Sequence, residues 1–154
     1  MTANAPNHAA RAHATWSASA AKRNMTCAGA LGLILEVTKD WPERSSEAAD
    51  WGTCAHEISE ACLRDGTDAE RFIGQTLKGK EHSFEVDEEM AETAQEFIDY
   101  CRATGASEHW IEQRFDFVSL NPPFDAGGTG DFVGYNATAK ELEVVDLKGG
   151  RGVV

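Results

Sequence analysis

Glu141-Leu142-Glu143-Val144-Val145-Asp146-Leu147-Lys148 combines an apolar, β-branched centre with charges at its margins, and it closes on an aspartate and a lysine one residue apart. The composition predicts a strand. Side chains on a strand alternate between faces, so the D-x-K spacing projects both ionisable groups to the same side. Just upstream, Asn136–Lys140 reads as a hairpin connection and Gly128–Tyr135 as the partner strand, with Asp131, Val133 and Tyr135 on one face. Pairing the two runs brings Asp131 close to Asp146. A third run, Trp110–Val118, alternates with Ile111, Gln113, Phe115 and Phe117 on one face, until Asn121-Pro122-Pro123 breaks it.

Two helices precede these strands. From Ser46 onward Trp51, Ala55, Ile58 and Cys62 recur at helical spacing, and Gly66 is placed to end the segment. Asp87 is placed to cap a second helix, in which Met90, Ala94, Phe97 and Cys101 repeat the spacing before Gly105 stops it. Ser17 or Ser19 is suited to cap a short helix through Asn24 that carries Lys22 and Arg23. Residues 36–46 read as a polar, proline-containing connection. Residues 66–86 allow a short helix over Ala69–Leu77 and then a charged loop. The expected organisation is a disordered leader over residues 1–15 and one domain over 16–154. Helices followed by an antiparallel meander predict an α/β or α+β fold, with the N-terminal helices packed on a small mixed or antiparallel sheet.

The net charge of -12, from 14 Lys+Arg against 26 Asp+Glu, argues against holding nucleic acid by bulk electrostatics. It leaves open phosphodiester chemistry in which a bound metal dominates the local charge. No apolar run is long enough to span a membrane, and no signal peptide is recognisable at the N-terminus. The four cysteines form no C-x-x-C pair, which fits reduced thiols in a cytoplasmic protein.

Two further segments carry candidate chemistry. Gly52-Thr53-Cys54-Ala55-His56 lies on the first long helix, and a helical glycine costs ~1 kcal/mol relative to alanine. Clearance for a second element, or for substrate near His56, explains it; the alternative is a border histidine bonded to backbone. Gly128-Thr129-Gly130-Asp131 lets backbone approach a ligand at the strand's start, or else is a glycine-rich turn capped by aspartate. A nucleotide-binding loop fits poorly, since the third glycine of G-x-G-x-x-G is missing and no G-K-[ST] is present.

In order, G-x-x-x-H, G-x-x-D and D-x-K resemble the RecB-like branch of the PD-(D/E)XK nuclease superfamily. More narrowly, with Trp16-Ser17-Ala18-Ser19-Ala20-Ala21-Lys22-Arg23…Cys27 and Asp146-Leu147-Lys148-Gly149-Gly150-Arg151-Gly152-Val153-Val154, the chain is similar to a phage- and bacteria-associated family of unknown function. The resemblance covers residue 16 to the end. It implies a restriction-endonuclease-like core and a metal site of His56, Asp131, Asp146 and the Leu147 carbonyl, binding Mg2+ or Mn2+. Lys148 would orient water or stabilise charge, making Lys148, Asp146 and Asp131 the catalytic set. Glu112 and Arg151 are weaker candidates, Glu112 because it shares a charged face with Arg114 and Asp116. Glu57 and Glu60 read as surface residues.

The implied activity is metal-dependent DNA hydrolysis, of the kind a phage or prophage exonuclease performs. DNA and a recombination or phage protein are the implied partners. The alternative is a nuclease fold kept as a non-catalytic interaction or DNA-binding module. Family members carry a further helix with a Gln/Tyr motif and another core strand after D-x-K, so with the sequence ending six residues beyond Lys148 the core is expected to be incomplete at its C-terminus. Some relatives bind an iron–sulfur cluster through one early and three late cysteines. Only Cys27 matches, Cys54, Cys62 and Cys101 read as core residues, and no cluster is expected.

Overall fold

The computed structural model describes residues 15–42, 44–122 and 125–149. The fold is α+β, with four α-helices, a mixed four-stranded sheet and a separate two-stranded sheet among the described residues. Within the described residues the chain divides into two compact units, one of residues 45–113 and 130–149, the other of 15–44 and 114–129.

In the first unit, α3 (Glu47–Asp65) and α4 (Glu88–Ala103) form where the apolar spacing and caps predict them. The Ser46 hydroxyl accepts from the Ala49 N–H, and the Asp87 carboxylate from the Met90 N–H. Gly66 ends α3 in the left-handed conformation (φ 68°), where a Cβ would be strained. Ala55, Ile58 and Cys62 of α3 pack against Met90, Ala94, Phe97 and Cys101 of α4, with Trp51 at the margin. All these stripe residues bury apolar surface in one core, which Phe132 and Leu147 join from the sheet side.

Residues 66–86 depart from expectation. Only Ala69–Phe72 is helical, as a 3₁₀ turn; then β2 (Thr76–Lys78) and β3 (Ser83–Glu85) pair antiparallel, Leu77 opposite Phe84. Strands of three residues carry too little periodicity to be read from sequence. What secures them is Asp50 in the first turn of α3. Its carboxylate accepts from the backbone N–H groups of Lys80 (3.0 Å), Glu81 (2.8 Å) and His82 (2.8 Å), and pairs with His82 Nδ1 at 2.8 Å. Gly79 lies so close that a Cβ there would sit 2.5 Å from the Asp50 Cβ.

The four-stranded sheet comprises β1 (Trp16–Ser17), β4 (Glu108–Asp116), β5 (Ala126–Asn136) and β6 (Glu141–Val145). Its order is β1-β5-β4, with β6 also on β5. The expected hairpin forms: β5 and β6 pair antiparallel from Asn136↔Glu141 to Phe132↔Val145. β1 runs parallel to the start of β5, Trp16 opposite Ala126, so the sheet is mixed and not a simple meander.

In the second unit, helix α1 (Ala21–Thr26) follows a 3₁₀ turn at Ala18–Ala20. Its cap position is Ala20, without a side-chain cap, so neither Ser17 nor Ser19 starts it. Helix α2 (Ala30–Thr38) runs into the stretch expected to be a connection. Only Leu31 of α2 is buried, while Leu33, Leu35 and Val37 are exposed. The leader, apart from Thr15, lies outside the described residues. No helix among the described residues is long and apolar enough to cross a membrane.

Candidate metal centre

Four elements of the first unit supply the centre. The hairpin register does the first part. One step beyond the Phe132↔Val145 pair, the antiparallel pairing sets Asp131 opposite Asp146. β6 ends at Val145, yet alternation persists: Leu147 turns into the core, while Asp146 and Lys148 form an ion pair on the outer side. The Leu147 N–H donates to Asp131 Oδ2 at 2.7 Å, tying the D-x-K segment to the neighbouring strand.

α3 supplies His56. Its side chain is only 15% exposed, and Nδ1 lies 3.4 Å from Asp131 Oδ2. Gly52, one turn earlier on the same face, meets the chain just after D-x-K: a Cβ there would stand 3.3 Å from the Gly149 carbonyl oxygen. The helical glycine thus clears room for a second element, one of the two reasons its position suggested.

β4 supplies Glu112, which corrects the expectation of a solvated charged face. Glu112 has φ 55°, a left-handed conformation that is unusual in a strand and breaks the predicted alternation of Trp110–Val118. Phe115 and Phe117 line no buried face and are exposed. Glu112 itself is half-buried, and one ligand atom each from His56, Glu112 and Asp131 lie within 4.8 Å of one another. Backbone outliers of this kind cost on the order of 1–3 kcal/mol and concentrate where a side chain must be aimed. No sequence periodicity signals one.

Electrostatics single out Asp131, whose side chain is 8% exposed. Burial pushes its carboxyl up to about 6; the Leu147 N–H opposes this, the Asp146 charge adds to it, Lys148 offsets part, and a hydrogen bond with Asp146 raises it further. This carboxyl accepts one backbone N–H and faces two other carboxylates, with Lys148 as a partial offset. The set of one imidazole nitrogen with carboxylate oxygens would suit a hard cation such as Mg2+ or Mn2+.

Lys148 is largely exposed, within reach of anything docking at Asp146. Leu147 is fixed by its N–H and side chain. Arg151 lies outside the described residues. Glu57 and Glu60 are not surface residues: Glu57 is half-buried with a carboxyl raised by burial and by Glu60, and Glu60 is buried and paired with Arg64. Cys54, Cys62 and Cys101 are buried core thiols; burial, then the Asp131 and Glu143 charges, push Cys101 up to about 12.

No solved structure matches this chain. The chain belongs to the family described as protein of unknown function (DUF2800), whose model matches residues 13–154.

Proposed function

We propose that this protein is a divalent-metal-dependent nuclease domain acting on DNA, in the manner of the RecB-like PD-(D/E)XK enzymes that its motifs resemble. The observation that carries the reading is the convergence of His56, Glu112 and Asp131 within 4.8 Å, with Asp146 and Lys148 beside them. His56, Glu112, Asp131 and Asp146 would hold Mg2+ or Mn2+, with the Leu147 carbonyl as a further oxygen donor. When bound, the cation polarises a phosphoryl oxygen and lowers the pKa of water.

The chain's own residues do the rest. Asp131 would serve as a ligand in its carboxylate form, which the Leu147 N–H orients. Lys148 sets a positive charge where negative charge develops on the phosphate during attack. The surplus of acidic residues favours few phosphate contacts, made at the metal and Lys148, over a basic groove.

Incubating the protein with linear duplex and single-stranded DNA and Mg2+ or Mn2+ tests the reading, with chelator and Lys148→Ala as controls. Metal-dependent cleavage that Lys148→Ala removes supports it. DNA left intact under every condition ends it. The net charge also favours a second reading, a nuclease fold retained as a non-catalytic binding module. Calorimetric titration separates the two, because such a module would bind Mn2+ weakly and be indifferent to Asp131→Asn.

A further inference from the structure

The G-x-x-x-H spacing has a geometric role that the metal-ligand reading does not assign. On α3, Gly52 and His56 stand one turn apart on one face, separated by about 6 Å of rise. His56 meets Asp131, on β5. Gly52 meets the Gly149 carbonyl, in the segment that leaves β6. Adjacent strands lie about 4.8 Å apart, so one helical turn matches the step between the two chains that carry the site. Gly149 is also confined from the other side: a Cβ there would stand 3.0 Å from Trp51 Cζ3, 3.6 Å from Thr93 Cγ2 and 3.7 Å from Ala55 Cβ. Lys148 therefore sits between two fixed points, the Leu147 N–H held by Asp131 at 2.7 Å and the Gly149 backbone seated in the crease between α3 and α4.

We infer that Gly52 and Gly149 form a glycine–glycine crossing that positions the Asp146-Leu147-Lys148 segment, making both glycines positioning residues for the centre. The catalytic consequence rests on the nuclease reading; the crossing itself does not. A side chain at position 52 pushes the Gly149 carbonyl outward by a few tenths of an ångström, and a larger one pushes it further. The displacement passes along two residues to the Leu147 N–H and to Lys148. α3 has no reason to unfold, because alanine is the better helix former.

Amide exchange measured residue by residue, together with Mn2+ titration, decides this on the full chain. Gly52→Ala and Gly52→Met should speed exchange of the Leu147 amide in order of side-chain size, by about tenfold for methionine, while Cys54–Ile58 amides of α3 keep their protection. Mn2+ affinity should fall in the same order. Gly149→Ala approaches the contact from the other side and should loosen Leu147 likewise. Gly32→Ala, a helical glycine with open space around it, should leave Leu147 unchanged. Unaltered Leu147 exchange in both Gly52 variants overturns the inference. So does loss of α3 protection in parallel with Leu147, which would mark Gly52 as a requirement of the fold alone. If the unmodified protein binds no Mn2+, the metal reading fails, and the exchange data still decide the crossing.

Discussion

Two buried aspartates in the same unit of this protein have opposite surroundings. Asp50 is 1% exposed and accepts three consecutive backbone N–H groups and the His82 imidazole. Burial alone would raise its carboxyl, but the Ser45 hydroxyl and these donors hold it well below the ordinary carboxylate range. Asp131 is nearly as buried, receives one backbone N–H, and faces His56, Glu112 and Asp146, with its carboxyl pushed up to about 6. Burial by itself therefore does not set the state of a carboxylate. Donor count does: Asp50 is a saturated structural anchor, whereas Asp131 keeps acceptor capacity for a proton or a cation.

The comparison breaks most visibly in activity. Replacing Lys148 or Asp146 with alanine should lower metal-dependent DNA cleavage by about 10³-fold, read as initial rates on linear DNA, while Asp50→Asn should leave the rate per folded molecule unchanged. Equal losses at the two sites would dissolve the distinction.

Stability comes next. Asp50→Ala strands three N–H groups and should cost about 3 kcal/mol in urea unfolding. Asp131→Asn should do the reverse without metal at neutral pH, gaining about 1 kcal/mol because an unfavourably buried charge is removed. A destabilised Asp131→Asn would mean that its carboxylate is as well satisfied as that of Asp50.

Dependence on pH sharpens the contrast, since the two linkages have opposite sign. Asp50 has a folded pKa below its unfolded value, so its contribution is present above about pH 4 and is lost as pH falls toward the folded value. The stability difference between the unmodified protein and Asp50→Asn should shrink in acid. Asp131 has a raised folded pKa, so its unfavourable term is absent below about pH 4 and complete above about pH 6. Because the proton must leave before a cation binds, Mn2+ affinity should fall up to about tenfold per pH unit below about pH 6 and level off above it. A flat titration over that range would remove Asp131 from the ligand set.

The smallest effect concerns the start of α3. Ser46→Ala should cost about 1 kcal/mol by leaving the Ala49 N–H uncapped, with Mn2+ affinity unchanged. A change in metal affinity would show that the two ends of the comparison communicate along the helix.

Much of the frame is legible in the residues. The stripes of α3 and α4, the cap at Asp87 and the stop at Gly66 are local signals, and the structure follows them. The β5–β6 pairing is legible as two alternating runs around a turn, and its register places Asp131 by Asp146. Gly52 was legible as an anomaly, though what occupies the clearance was not. The β2–β3 hairpin was illegible because its stability comes from Asp50, some 30 residues away in sequence. Glu112 reads only as a weaker candidate because alternation assumes a regular strand, whereas the residue is left-handed.

By itself, then, the sequence determined the two helices, the hairpin and the order of motifs, because capping, helical spacing and strand alternation act over a few residues. Only the tertiary structure decided which carboxylate is an anchor and which is left with open acceptors, and that Glu112 belongs with His56 and Asp131. Those properties depend on how many donors converge from distant segments, and no local pattern encodes that number.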